Sequence, residues 1–419
     1  MYDKENRRYL DASTGSSGVS NFGHGISEIG TIIKEQVSKI SVLPTHAFNS
    51  AVVEEYFARL VDFAPEGFAR AWTVTSGTEA VENALKLALQ YHQLRGEPGR
   101  YKIISRWNTY HGNSIFTLDI GGMKLRRAAY SEWLHNFPHV SPAYSYRMPE
   151  GMDADDYLEH LVEEFETTIL SNDPTSIAAF IAEPVVAAAL GAVPPPPGYF
   201  VRIAAVCKKY GILFIVDEVL TGFGRLGTPF GIQKFDARPD IIAAGKGISG
   251  GYYPLSAVLA SAEVMEPFVR KEIPFLGGHT FACNPVGAAV GNYILDFIRD
   301  HHVLENCVDK GNYLRRRLDQ LCSLDIVGEV RGEGLMLGIE LVMDKITKKP
   351  FPEEQRVSRR IGERSIEKGV VLYPGRGSFD GIAGDHIMIV PPLIINMDHA
   401  DEIVDVLKES IEEVMMEIE

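Results

Sequence analysis

The 419-residue chain has only four cysteines, Cys207, Cys283, Cys307 and Cys322, and none forms a C-x-x-C pair. That scarcity and spacing exclude a disulfide framework and a cysteine zinc site, and read as reduced thiols in a cytoplasmic protein. Positive charge is short as well: 41 Lys and Arg face 56 Asp and Glu, a formal charge of −15, with no basic tract to offset it. Such a balance repels nucleic acid and anionic membrane surfaces. Long apolar runs are missing. The best, "SIAAFIAEPVVAAALGAV", is broken at Glu183–Pro184 and stopped by Pro194–Pro197, so no bilayer span is expected. The opening "MYDKENRRYL" has no apolar signal core. No H-E-x-x-H occurs, His301–His302 stands without a ligand set at metal-binding spacing, and no metal site is expected.

What is present is an alternation of short apolar runs and amphipathic stretches. "ARAWTVTSG" leads into "TEAVENALKLALQYHQL", whose apolar residues fall at helical spacing. "YKIISRW", "TSIAAFIAEPV", "ILFIVDEV" and "IIAAGK" read as further strands, and "GYFVRIAAVCKKYG" as a helix ending at Gly211. Wholly apolar strands between amphipathic helices predict an α/β fold with a mainly parallel sheet covered on both faces. After Gly291 the pattern changes. "YILDFIRDHHVLENCVDKGNYLRRRLDQL" reads as one long helical stretch, and later helices alternate with the short strands "MLGIELV" and "HIMIVPPL". A smaller α+β lobe is expected from about residue 300.

Several residues in this frame invite chemistry. "RPDIIAAGKGISGG" sets Lys246 between glycines at the end of an apolar run, with no acid beside it. A lysine there is ordinarily a loop residue with its head in water. Burial instead lowers the amine's pKa and suits it to a Schiff base. Asp217 and Glu218 emerge where the apolar strand "LFIV" ends, the edge at which α/β proteins bind ligands. Gly222, Gly224 and Gly227 spell G-x-G-x-x-G, but the following "TPFG" suits a loop and not the helix that a dinucleotide site needs. Ser76, Gly77 and Thr78 of "TSGTEA" open a helix, where N–H groups and the dipole favour a phosphate; plain capping explains them equally well. Tyr110 and His111 in "WNTYHGNS" either present flat rings or pack a loop. Thr280 in "GGHTFACNP" either caps a helix or reaches a ligand. A lysine for an aldehyde, an acid for a ring nitrogen, an anion cradle and a stacking ring together fit pyridoxal 5'-phosphate.

The succession "TSGTEAVENALKLA", "YHG", "AEPV", "IVDEVLTGFGR", "AGKGISGGYYPLSAV", "HTFACNPVGAA" and "RGEGLMLGIEL", from Thr75 to Leu341, resembles the class III (omega-type) aminotransferases, which are fold type I pyridoxal-phosphate enzymes. The resemblance implies a large cofactor-binding domain over 51–300, with a seven-stranded, mainly parallel sheet flanked by helices. It implies a smaller α+β domain over 301–419 and an N-terminal segment, 1–50, packed against that domain and a dimer partner. A cytoplasmic homodimer, or a tetramer built from it, with shared active sites is expected, without nucleic-acid or membrane partners. Carried over residue by residue, Lys246 holds the cofactor as a Schiff base and Asp217 pairs with its ring nitrogen. Val219 packs on the ring face opposite Tyr110. Ser76, Gly77 and Thr78 bind the phosphate, with the partner subunit's Thr280 completing the contact, and His111 and Glu183 lie nearby. An amine donor then passes its amino group to a carbonyl acceptor in ping-pong fashion. An aminomutase, racemase or decarboxylase would keep the same residues, whereas a non-catalytic relative would be expected to lose Lys246 or Asp217.

Two features depart from the family pattern: relatives usually carry a few dozen residues before the stretch that here reads "MYDKENRRYLDA", so an early segment that often lines the substrate entrance is expected to be absent, and a substrate-gripping arginine is missing. Many relatives carry an arginine shortly before the "GDHI" segment that grips substrate carboxylates. Here Phe379–Ala383 has none, which leaves Arg376 as the nearest candidate. Ser17 and Gly18 put small residues at the expected substrate wall and leave room for a larger amine.

Overall fold

Seven strands form the central sheet of the computed structural model, which describes residues 1–418; Glu419, the last residue of the expected C-terminal segment, lies outside the described residues. Across the sheet the order is Phe68–Val74, Ser256–Ser261, Ile241–Ala244, Leu213–Glu218, Ile177–Ala182, Lys102–Arg106 and His139–Val140. Ser256–Ser261 runs antiparallel to both neighbours, and the remaining pairs are parallel. The three central strands, "IAAFIA", "LFIVDE" and "IIAA", are buried along their whole length. Alternate residues feed two cores, as the pleat requires. Ala179, Ile181 and Ile215 join Val81, Ala84 and Leu85 of the helix Gly77–Leu94 on one face. Phe180, Phe214 and Val216 join Phe200 and Ile203 of the helix Tyr199–Tyr210 on the other. Gly211, in the left-handed region at φ +66°, ends that helix.

A second, antiparallel sheet is ordered Tyr373–Arg376, Asp385–Ile389, Met336–Leu341, Val327–Glu333. Near it the two ends of the chain meet, with Leu10–Asp11 paired in parallel to Val370–Val371. The helix Met397–Ile418 packs across the helices Val303–Asp319 and Val357–Glu367. One expectation is corrected. The long helical stretch after Gly291 is two helices, Pro285–Asp300 and Val303–Asp319, separated at His302, whose φ is +49°. Apolar spacing continues through both halves (Ile294, Ile298, then Val303, Cys307, Leu314), so periodicity alone conceals the break.

Buried charge ties the parts together. Arg225 is fully buried and donates to Asn21 Oδ1 (2.6 Å) and to the carbonyls of Leu335 (3.0 Å) and Pro391 (2.5 Å). The glycines Gly222, Gly224 and Gly227 around it lie in turns with no helix opening among them. Among the described residues no helix is long and apolar enough to cross a membrane, and no cluster of side chains could hold a metal ion.

Candidate active site

Parallel strands end on a common edge, and at that edge lies a cavity of about 370 Å³. Lys246 enters it directly after the strand Ile241–Ala244, with a backbone φ of +46°. A non-glycine residue in that region carries strain of about 1–3 kcal/mol, so the surroundings hold it there. The flanking glycines serve close approach. A Cβ on Gly247 would lie 2.3 Å from Asn21 Nδ2, and one on Gly245 would lie 2.9 Å from Ser256 Oγ. Burial pulls the Lys246 amine down to about 8, against the Asp217 and Glu183 carboxylates, which push it up; Arg225 adds to the lowering.

Asp217, at the end of its strand, has both oxygens engaged. Its Oδ2 lies 2.8 Å from His111 Nδ1, and its Oδ1 accepts the Val219 N–H at 3.0 Å. A carboxylate can only accept, so Nδ1 carries the imidazole proton. His111 Nε2 is buried and, among the described residues, has no partner. Glu183 follows the strand Ile177–Ala182 and accepts the N–H groups of Tyr110 (3.2 Å) and Ala187 (3.1 Å); burial pushes its carboxyl up.

The helix Gly77–Leu94 points its N-terminus into the same cavity. Ser76 accepts the Glu79 N–H at 3.2 Å, which bears out the capping reading for this residue. Thr78 Oγ1 accepts the Asn113 N–H at 3.2 Å. Among the described residues the N–H groups of Gly77 and Thr78 have no hydrogen bond, as the first turn of a helix dictates. Space here is kept open by glycine. A Cβ on Gly77 would lie 2.8 Å from Val219 Cγ1, and one on Gly112, at φ +141°, would lie 2.8 Å from Thr78 Oγ1.

Of the residues anticipated from sequence, the cavity wall brings together Ser17, Ser76, Gly77, Thr78, Tyr110, His111, Glu183, Asp217, Val219 and Lys246. Three stand outside it. Thr280 is exposed on the surface of the chain. Arg376 pairs with Glu353 at 2.9 Å. Gly18 is not part of the lining but packs behind it, where a Cβ would meet Leu220 of the wall at 3.0 Å. The wall also contains residues that no motif flagged, Met123, Arg126, Ala187, Ala188, Leu220 and Tyr373. Arg126 sits in the short helix Lys124–Ala128 with its guanidinium carbon 5.1 Å from the centroid of the Tyr110 ring. Its place in "GGMKLRRA" has no strand-edge signature, and only tertiary packing delivers it to the cavity.

The same architecture recurs in known proteins. The family model described as aminotransferase class-III matches residues 1–411. An uncharacterized aminotransferase of Schizosaccharomyces pombe is 38% identical over 98% of this chain and 90% of that protein. Among solved structures, a thermostable (S)-enantioselective omega-transaminase from Thermomicrobium roseum is 36% identical, with a TM-score of 0.92 over 99% of this chain and 90% of its own. An omega-transaminase from Pseudomonas jessenii in complex with PMP is 29% identical, with a TM-score of 0.93 over 99% of this chain and 90% of its own. With a fold type I α/β architecture and a family match along nearly its whole length, the chain belongs to the class III aminotransferases, pyridoxal-phosphate-dependent enzymes that move an amino group from an amine donor to a carbonyl acceptor.

Proposed function

We propose that the cavity beside Lys246 is the site of this amino transfer, with pyridoxal 5'-phosphate held by the chain's own residues. The observation that carries the reading is the convergence of a lysine of depressed basicity, an Asp217–His111 pair and an open helix N-terminus on one cavity. The residues fit the cofactor. Unengaged N–H groups at Gly77 and Thr78 suit its phosphate. The Asp217 carboxylate, backed by His111, suits a protonated ring nitrogen, and Tyr110 and Val219 suit the two faces of the ring. When bound, pyridoxal phosphate supplies an aldehyde for amines and a ring that takes up electrons as a bond at the substrate carbon breaks.

The protein's part follows from its groups. Lys246, whose amine burial pulls down to about 8, would hold the cofactor's aldehyde and, when free of it, would move the proton at the amine-bearing carbon of the substrate. Asp217, whose Oδ2 accepts the His111 N–H, would face the ring nitrogen and hold a proton there. Glu183, held by two backbone N–H groups, fixes the Tyr110 segment. Donor and acceptor use the same cavity and therefore take turns, as ping-pong kinetics require. The division into 1–50, 51–300 and 301–419 belongs to the same reading, as does a homodimer in which the partner subunit's Thr280 reaches the phosphate. The exposed apolar side chains of Val42, Phe48, Leu276 and Phe281 support such a partner.

The test is an absorbance spectrum of the purified protein before and after adding amines without an acceptor. A visible cofactor band that moves to the near ultraviolet with some amine, and reverts with a keto acid, is the expected outcome. A band that no amine shifts, or one that persists in Lys246→Ala with turnover intact, overturns the reading.

A further inference from the structure

Two consecutive arginines in the helix Lys124–Ala128 have opposite fates. Arg127 is buried and spends its guanidinium on the Leu118, Asp119 and Gly121 carbonyls and on Asp119 and Asn136. Arg126 is exposed at the rim of the cavity with its guanidinium carbon 5.1 Å from the Tyr110 ring centroid, and that guanidinium has no hydrogen-bonding or ion-pair partner among the described residues. The same cavity wall contains the apolar Met123, Ala187 and Ala188, and Tyr373 lies close enough to feel the Arg126 charge. The two acids of the cavity, Glu183 and Asp217, are already held by backbone N–H groups and His111. Lys246 is reserved for the chemistry in the reading above. An anionic substrate group entering this cavity loses water against apolar side chains and needs a cation to replace it. Arg376, the nearest arginine to the "GDHI" segment, is engaged with Glu353 outside the cavity.

We propose that Arg126 is the residue that binds the substrate carboxylate, so that at least one of the two substrates is an amino acid or keto acid whose carboxylate lies along the Tyr110 edge of the cavity. A planar guanidinium held over an aromatic ring presents two parallel N–H donors to a carboxylate. This inference rests on the amino-transfer reading and gives it a substrate class. It also locates the carboxylate contact in a segment where the sequence shows no arginine motif.

The experiment compares donors with and without a carboxylate on the holoenzyme, with 4-aminobutyrate and L-alanine set against butylamine. In Arg126→Met the concentration for half-maximal spectral change should rise about 10- to 100-fold for the aminocarboxylates and stay unchanged for butylamine, with Arg126→Lys between. Butyrate, titrated calorimetrically, should bind the wild-type holoenzyme and not Arg126→Met. Equal losses for both donor types, or loss of carboxylate preference in Arg376→Met with none in Arg126→Met, overturn the proposal. If no donor changes the wild-type spectrum, the amino-transfer reading fails, and butyrate binding still decides the role of Arg126. If Arg126→Met fails to retain the cofactor, saturable butyrate binding weakened in Arg126→Lys supports the proposal, and no binding to the wild type overturns it.

Discussion

At the scale of single residues, the cavity works by changing the acid–base properties of its members. Burial takes Lys246 from 10.5 to about 8, although two carboxylates oppose the change. In cofactor-free protein, acylation of Lys246 followed by peptide mapping should therefore rise with a midpoint near pH 8, well below the 10.5 of an ordinary lysine. A midpoint above 10 would remove the basis for its activation. Asp217 is the other decisive residue. Asp217→Asn keeps the shape but replaces the charge proposed to face the cofactor's ring nitrogen, and should lower turnover by about 10²–10³-fold while the protein still folds. His111→Phe should produce a smaller loss together with an altered cofactor spectrum, because it removes the proton donor that orients Asp217.

At the scale of elements, the site depends on how closely a helix end can approach a strand end. The helix Gly77–Leu94 comes so near the Asp217–Val219 turn that a methyl group at Gly77 meets Val219 at 2.8 Å. Gly77→Ala should push Val219 into the space for the ring or draw the helix back, at a cost of about 1–3 kcal/mol. The expected result is faster cofactor loss on dialysis, with the unfolding midpoint of the cofactor-free protein moved far less. A cofactor dissociation rate equal to wild type would show that the cradle tolerates the methyl. Ser76 contributes to the same element differently. By capping its own helix it leaves the Gly77 and Thr78 N–H groups for a ligand.

At the scale of the whole molecule, buried ions join the second sheet to the loop that follows the His139–Val140 strand. Glu340 is fully buried and accepts from Tyr144 Oη (2.9 Å), Arg147 Nη2 (2.5 Å), Arg331 Nη2 (2.8 Å) and Ser378 Oγ (2.9 Å). Burial alone would raise its carboxyl, but Arg331 and Arg147 outweigh it and hold the group below 4.5. A depressed carboxylate contributes stability that is fully present above the ordinary value of 4.5 and is lost as pH falls through the lower folded-state value. Glu340→Gln takes the shared carboxylate from Arg331 and Arg147, leaving Glu329 as the remaining ionic partner of the buried Arg331, and should cost about 3–5 kcal/mol in denaturant unfolding at pH 7. The difference from wild type should narrow as the pH drops below 4.5. A pH-independent difference would assign the effect to packing. Light scattering should give the mass of two chains, and Phe281→Asp should reduce it to one.

The amino-acid sequence by itself determined the layered α/β plan, because central strands such as "IAAFIA" and "IIAA" are apolar on both faces and can only lie inside a covered sheet. It also determined the residues that meet at the carboxyl edge, since Lys246, Asp217 and Glu183 each close such a strand or follow it directly. Tertiary structure alone decided the rest. The helix break at His302 is a backbone reversal inside an unbroken apolar pattern. The His111–Asp217 pair joins residues 106 positions apart. Nor does any local signal say which of Arg126 and Arg127 turns inward and which faces the cavity, because both are arginines on one short helix. Periodicity reports which face of an element is buried; it carries no information about what another element will set against that face.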